Sequence, residues 1–335
     1  MKKSCHFIVL LTALFFLGTA CPSFAQYVFT TIDDPLATYT ATNGSLAFGV
    51  SGGDISGYYN DASGVHGFIY NGSTYTTLDD PLGTGGSTQA YGISGNNIVG
   101  RYTTSSNGSS NGFLYNGSTY TTIDDPLATQ GTYAYGISGN NIVGFYFGSN
   151  GVSDGVYGFL YDGSTFTTLQ VPTSMGGLTT PLGISGTNIV GYYLDNSDVQ
   201  HGFLYNGSTY TSIDDPLAST AGPAGSTGTI VTGISGNNIV GSYFDASGIS
   251  HGFLFNGTTF TTVDDPLGVQ GTLTANIDGN NIVGGYTDSN GVDHGFLTTV
   301  PEPSSLILLG IGAGFVGLAM RFRTRNGLSR AIRPL

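Results

Sequence analysis

Residues 90–127 read AYGISGNNIVGRYTTSSNGSSNGFLYNGSTYTTIDDPL, and this stretch returns with drift about every 45 residues along the chain. Within it, Ala90–Ser94 and Ile98–Tyr102 read as strands joined at Gly95-Asn96-Asn97, because Gly and Asn accept the positive φ of a tight hairpin. Gly112–Tyr115 and Thr119–Ile123 read as two more strands, with Asn116-Gly117 as a two-residue loop. That loop sets Tyr115 opposite Ser118 and Phe113 opposite Tyr120, an aromatic pair across the strands. Tyr and Thr enrichment suits strands, and no helical period interrupts the pattern.

The unit occurs six times. Its second-strand cores are Ile55-Ser56-Gly57, Ile98-Val99-Gly100, Ile142-Val143-Gly144, Ile189-Val190-Gly191, Ile239-Val240-Gly241 and Ile282-Val283-Gly284. Third strands begin at His66, Asn111, Tyr157, His201, His251 and His294, each followed by Gly-Phe. The chain opens on a lone fourth strand, Tyr27–Ile32, and the last unit stops after its third, Gly295–Leu297. Pairing the first strand into the last unit completes that unit and removes an exposed edge. The expected fold over residues 26–299 is therefore all-β: a six-bladed β-propeller of four-stranded blades, closed by the N-terminal strand.

Between Gln26 and Thr299 there are twenty Asp, no Glu, no Lys and one Arg, Arg101. Such a field repels phosphate backbones, which excludes nucleic acid as a partner, and it favours cations or neutral, hydroxyl-rich ligands. Both cysteines, Cys5 and Cys21, precede this region, so neither a disulfide framework nor thiol chemistry is expected in it.

Residues 1–25 carry Lys2 and Lys3, an apolar run from Phe7 to Leu17, and small residues at Ser23 and Ala25. This is the pattern of a secretion signal cut by signal peptidase between Ala25 and Gln26. A lipoprotein leader ending at Cys21 is the competing reading, although Gly18 stands where a Leu is expected. At the other end, Val300-Pro301-Glu302-Pro303 precedes an apolar stretch, 306–320, and a basic tail, 321–335, that includes Arg321, Arg323 and Arg325. The stretch reads as a short transmembrane helix whose arginines stay cytoplasmic, leaving the preceding domain outside.

This order of Pro-Glu-Pro, apolar helix and Arg cluster resembles the PEP-CTERM sorting signal of Gram-negative bacteria. The resemblance implies transient anchoring in the inner membrane, recognition at Pro301-Glu302-Pro303 by an exosortase-type protease, and release or transfer to the cell surface. It also implies an association with exopolysaccharide. An ordinary C-terminal anchor is the alternative. Third strands such as His201-Gly202-Phe203-Leu204-Tyr205 resemble the HAF-type extracellular repeat, with Gly in place of Ala.

In an up-and-down blade alternate turns fall on opposite faces, so the Asp-Asp-Pro loops share a face with the loops between second and third strands. Asp33-Asp34, Asp79-Asp80, Asp124-Asp125, Asp214-Asp215 and Asp264-Asp265 are thus expected on one acidic rim, with Asp61, Asp195, Asp198, Asp245, Asp288 and Asp293. Calcium wants several carboxylate and carbonyl oxygens, which makes Asp61, Asp245 and Asp288 candidate ligands, although EF-hand spacing is missing. No other cofactor is indicated. His66, His201, His251 and His294 sit in separate units, too dispersed to share a zinc ion. Glycosidase chemistry needs two carboxylates in unequal environments, whereas these are repeated. Arg101 and Asp162 are the conspicuous singletons, and neither defines a catalytic site. The expectation is an exported, surface- or matrix-associated binding or structural protein, not an enzyme, linked to extracellular polysaccharide. A polysaccharide hydrolase or lyase on the same scaffold is the alternative.

Overall fold

Alternating β-branched and aromatic residues, cut by glycine turns, give an all-β chain. The computed structural model describes residues 26–39, 44–85, 87–104, 109–149, 154–223 and 225–301. Among these are 24 strands and no helix. The leader, Ala25 included, lies outside the described residues, as do Glu302, Pro303, the apolar stretch 306–320, Arg321, Arg323 and Arg325.

After β1 (Thr30–Ile32) the strands come in antiparallel meanders. The first is β2 (Ser45–Ser51), β3 (Asp54–Asp61), β4 (Gly64–Tyr70) and β5 (Tyr75–Leu78). Next come β6 (Gln89–Ser94), β7 (Asn97–Thr103), β8 (Ser110–Tyr115) and β9 (Tyr120–Ile123), then β10 (Ala128–Ser138), β11 (Asn141–Ser149), β12 (Asp154–Tyr161) and β13 (Phe166–Leu169). A short parallel contact, Gly131 with Ser110, joins these two meanders into one eight-stranded sheet. Four-stranded sheets follow: β14 (Thr179–Ser185), β15 (Asn188–Leu194), β16 (Gln200–Tyr205) and β17 (Tyr210–Ile213), then β18 (Thr229–Ser235), β19 (Asn238–Phe244), β20 (Ser250–Phe255) and β21 (Phe260–Thr262). The last sheet has the order β1-β24-β23-β22, from β22 (Gly271–Asp278), β23 (Asn281–Thr287) and β24 (Asp293–Thr299). β1 pairs antiparallel with β24, Thr30 facing Leu297 and Ile32 facing Gly295.

The Ile-Val dipeptide of five second strands, with Ile55-Ser56 in its place in the first unit, explains how sheets pack. Neighbouring strand residues point to opposite faces, so Ile serves one face and Val the other. Ile189 lies in a core with Ile184, Tyr193 and Phe203, joined by Val143 from the preceding meander. Val190 in turn enters the next core, with Val231, Ile234 and Phe253. The pattern returns to its start: Val283 of β23 is buried with Ile32, Val50, Ile55 and Phe68. First strands follow the same circuit, β2 packing on β6, β6 on β10, β10 on β14, β14 on β18, β18 on β22, and β22 on β2. The arrangement is propeller-like.

Two local devices permit this approach. Each first strand shifts register near its end, before Gly-Ile-Ser in four units, Gly49-Val50-Ser51 in the first and Asn276-Ile277-Asp278 in the last; between Ala134 and Gly136, for example, a bulge turns one residue off the ladder. At Gly136 an added Cβ would lie 2.8 Å from the Leu182 carbonyl oxygen of the neighbouring first strand, which only a missing side chain allows. At the hairpin end, backbone N–H groups link successive meanders. Gly95 donates to Ser51 Oγ (3.1 Å), Gly139 to Ser94 Oγ (3.3 Å), Gly186 to Ser138 Oγ (3.2 Å) and Gly279 to Ser235 Oγ (3.0 Å). Gly52 closes the series by donating to Asp278 Oδ2 at 2.8 Å.

The two hairpins differ from each other. Ser94 pairs with Asn97, leaving Gly95-Asn96 as a two-residue turn with φ +58 at Gly95, the glycine position of a type II′ turn. The Asn-Gly hairpin is not the expected two-residue loop. Tyr115 pairs with Tyr120 and Phe113 with Thr122, so the loop spans 116–119. The cause is the Asn116 side chain, whose Oδ1 accepts from the N–H groups of Ser118 (3.0 Å) and Thr119 (2.9 Å) and builds a wider turn. Phe113 and Tyr120 still meet, edge to face with ring centroids 5.5 Å apart, as diagonal rather than opposite neighbours.

Candidate functional site

The loops after fourth strands and those between second and third strands meet at one end of each meander, and histidine links them. His66 Nδ1 lies 3.0 Å from the Asp79 carboxylate and its Nε2 3.3 Å from Asp61. His201 stands between Asp214 (3.1 Å) and Asp195 (3.6 Å), and His251 between Asp264 (2.7 Å) and Asp245 (3.7 Å). His294 stands between Asp33 (2.8 Å) and Asp288 (3.8 Å), a contact that again joins the two ends of the domain. Each imidazole also stacks on a second-strand tyrosine, Tyr59, Tyr193, Tyr243 or Tyr286, with ring centroids 5.0–5.3 Å apart. These four stations are the same assembly repeated. The second and third units, with Asn111 and Tyr157 in place of His, lack it.

The expected acidic rim is therefore only half acidic at the surface. The second Asp of every pair, Asp34, Asp80, Asp125, Asp215 and Asp265, is buried. Its Oδ1 accepts the N–H of the Leu two residues on, at 2.8–2.9 Å, which fixes the Asp-Asp-Pro turn. Burial holds these five carboxyls above the usual carboxylate range. The Leu of each turn points outward instead: Leu36, Leu82, Leu127, Leu217 and Leu267 are all exposed.

The calcium candidates also cap their own loops. Asp61 Oδ1 accepts from the Ser63 hydroxyl and the Ser63 and Gly64 N–H groups. Asp245 Oδ1 accepts from the Ser247 and Ile249 N–H groups, and Asp288 Oδ1 from those of Asn290 and Val292. The Ser63 hydroxyl first, and the Ile249 and Val292 N–H groups in the other two, hold these carboxyls below their ordinary value. Among the described residues, no group of three or more His, Cys, Asp or Glu is arranged to hold a metal.

Asp162 belongs to a hairpin. It stands where other units carry Asn, and its Oδ1 accepts from Ser164 (2.9 Å) and Thr165 (2.8 Å) N–H groups just as Asn116 does. Arg101, on β7, is held by side chains around it. Its Nε donates to Gln89 Oε1 (2.6 Å) and to the Tyr91 hydroxyl (3.1 Å), and Nη1 donates to Ser110 Oγ (3.1 Å). Its guanidinium carbon sits 4.8 Å from the Tyr133 ring centroid, a cation–π contact.

Beside it lies a cavity of about 190 Å³ that sequence reasoning missed. The residue before the Gly of each Gly-Ile-Ser lines it, Tyr91, Tyr135, Leu182 and Thr232, with Phe48 (before Gly49-Val50-Ser51) and Ala275 at the matching positions of the first and last units. One arc is aromatic, Tyr91 and Tyr135 stacking at 4.2 Å and Phe48 meeting Tyr91 edge-on at 5.2 Å. The other arc is small or aliphatic. The signal was present in the repeat as its most variable inner position, but only the bulge turns that position toward the axis.

Residues 299–324 match the family described as the PEP-CTERM protein-sorting motif. Val300 and Pro301 at its start are described residues, and Val300 packs beside Tyr27 and Phe29 on the last core. The motif marks an exported protein that is anchored in the membrane and then processed at this end by exosortase. No curated protein matches the chain. Among solved structures, the Aleuria aurantia lectin, described as a six-bladed β-propeller with a fucose recognition mode, is 13% identical with a TM-score of 0.49. That match covers 82% of this chain and 98% of the lectin. The SapL1 lectin, in complex with α-methyl fucoside, is 14% identical with a TM-score of 0.44, over 76% of this chain and 90% of its own. A Trypanosoma rangeli sialidase is 10% identical with a TM-score of 0.49, over 92% of this chain and 62% of its own. Likenesses this distant fix neither a ligand nor an activity for this chain.

Proposed function

We propose that this chain is a six-bladed β-propeller with HAF-type repeats, exported by its N-terminal signal, which works outside the cell as a non-enzymatic, multivalent binding module for extracellular polysaccharide. Exosortase-type cleavage at Val300-Pro301-Glu302-Pro303 would free it from the inner membrane for the cell surface or matrix. The observation that carries the proposal is the repetition of one Asp–His–Asp station, stacked on a tyrosine, in four units. Equal sites suit repeated weak contacts with a repeating polymer, and linking such contacts raises overall avidity by roughly 10²–10⁴ over one of them. General acid–base cleavage of a glycoside asks instead for one pair of carboxylates in unequal surroundings. The charge of the region favours a neutral or cation-bearing polymer. At each station the carboxylates offer hydrogen-bond acceptors, and the outward Leu of the Asp-Asp-Pro-Leu turns offers an apolar contact for the C–H face of a sugar ring. Calcium is outside the proposal, because the candidate carboxylates already serve their loops.

The test mixes the purified domain, residues 26–299, with exopolysaccharide of the producing organism and follows polymer mass by light scattering behind a sizing column. Co-elution at larger mass is expected, weakening stepwise as His66, His201, His251 and His294 are changed to Ala one after another. A polymer mass that falls with time would make the protein a hydrolase or lyase. An unchanged profile would leave a spacer without a ligand.

A further inference from the structure

The axial cavity invites the same sugar ligand as the outer face, but its chemistry argues otherwise. Polar side chains on its wall, those of Thr232, Thr274, Ser242, Asn276 and Tyr91, are engaged by hydrogen bonds within the protein. The Thr232 hydroxyl donates to the Thr274 carbonyl at 2.8 Å, and the Thr274 hydroxyl donates to the Gly241 carbonyl. Ser242 Oγ accepts the Thr274 N–H, and Asn276 Oδ1 accepts the Ile277 N–H at 2.7 Å. The Tyr91 hydroxyl donates to Gln89 Oε1 at 2.8 Å while accepting from Arg101. A pyranose placed here would bury several hydroxyls without partners, at a cost of roughly 1–3 kcal/mol for each. An anion would enter against a region of twenty Asp and one Arg, whose Nε and Nη1 are already engaged. The rest of the wall is dominated by the Tyr91–Tyr135 stack, Phe48 and the aliphatic side chains of Leu46, Leu182 and Ile230.

We infer that this cavity is a binding site for a small, uncharged, apolar ring compound of the size of indole. Three observations converge on that class. The volume, about 190 Å³, suits one or two fused rings; an apolar cavity of about 150 Å³ stays dry and accepts benzene. The aromatic arc offers ring faces and edges for stacked or edge-on contact. The cavity also has a way in, since Leu273 lines it and is 47% exposed. Leu273 precedes the bulge of β22, toward the end that carries the histidine stations, so the mouth opens on the same face as the Asp-Asp-Pro turns. The site is unique in a repetitive molecule because the lining residue differs from unit to unit. It is independent of the polymer-binding reading, since it shares no side chain with the stations.

The probe is indole, titrated into the protein as secreted by its own cells and followed by ligand-observed NMR. Saturable binding with a dissociation constant below about 1 mM is expected, with nuclear Overhauser contacts from indole to tyrosine ring protons that disappear in the filled variants. Ala275→Leu fills the cavity with a side chain that Leu182 already presents at the matching position, and should weaken binding at least tenfold while far-UV circular dichroism stays unchanged. Thr232→Leu, on the neighbouring first strand, serves as a second filling variant. Should either fail to fold, the other and the Overhauser contacts of the unaltered protein decide the matter. No saturation by indole up to its solubility, unchanged affinity in a folded filling variant, or displacement of indole by methyl glucoside would overturn the inference.

Discussion

Replacing Ile32 by Ala tests whether the N-terminal strand is part of the last sheet. Ile32 is 2% exposed and sits in the core formed by Val50, Ile55, Phe68 and Val283. The substitution removes three carbons, worth about 2.4 kcal/mol at about 0.8 kcal/mol each. The cavity left behind brings the expected loss to about 3–4 kcal/mol. In a domain of this length that corresponds to a fall in Tm of roughly 5–7 °C. Val28→Ala is the control: Val28 is 74% exposed in the same segment, and its loss should stay within about 0.5 kcal/mol. Urea unfolding followed by tyrosine fluorescence suits the assay, since the chain has no tryptophan. A loss for Ile32→Ala below about 1 kcal/mol, indistinguishable from the control, would mean that β1 does not close the structure, and the circuit of sheets described above would be wrong.

Gly136→Ala places a Cβ 2.8 Å from the Leu182 carbonyl oxygen, and should cost about 1–3 kcal/mol through forced separation of two first strands, read as a lower urea midpoint. The pH dependence should pass through a maximum near the acid end. Asp34, Asp80, Asp125, Asp215 and Asp265 have folded values raised by burial, so their ionisation opposes folding and that penalty fades as pH falls toward the unfolded value of about 4. Asp61, Asp195, Asp245 and Asp288 have folded values lowered by hydrogen bonds, so their stabilisation is present above about pH 4 and is lost as pH falls through the lowered values. Melting scans from pH 7 to pH 2 should show Tm held or raised down to about pH 4 and falling below it; a steady decline from neutral pH would contradict the assignment. Millimolar calcium should leave Tm unchanged, because the loop carboxylates are already bonded; a rise would reveal a site the loops do not show.

The repeat made strand order and the closing strand legible, because period-2 alternation and glycine turns dominate it. Turn geometry was harder. Asn-Gly looks like a two-residue loop, yet the Ser or Thr that follows offers an N–H to the Asn side chain, and that Asx bond widens the turn by two residues. The Asp doublet reads as uniform charge, but consecutive residues face opposite ways and only the first reaches the surface. The His–Asp–Tyr stations were visible only as scattered residues, since each joins three separate segments of chain. The cavity was least legible of all: a bulge, which no local propensity announces, decides that Phe48, Tyr91 and Tyr135 face the axis.

The position of β24 in its sheet has a mechanical consequence. A pull on the peptide leaving Pro301, such as a membrane tether would exert, enters the domain through β24. That strand lies between β23 and β1, hydrogen-bonded on both sides. Tension along it must slide two ladders at once, which loads many bonds together. An outermost strand would peel away one bond after another. The short N-terminal segment therefore acts as a clasp on the strand from which such a tether would leave.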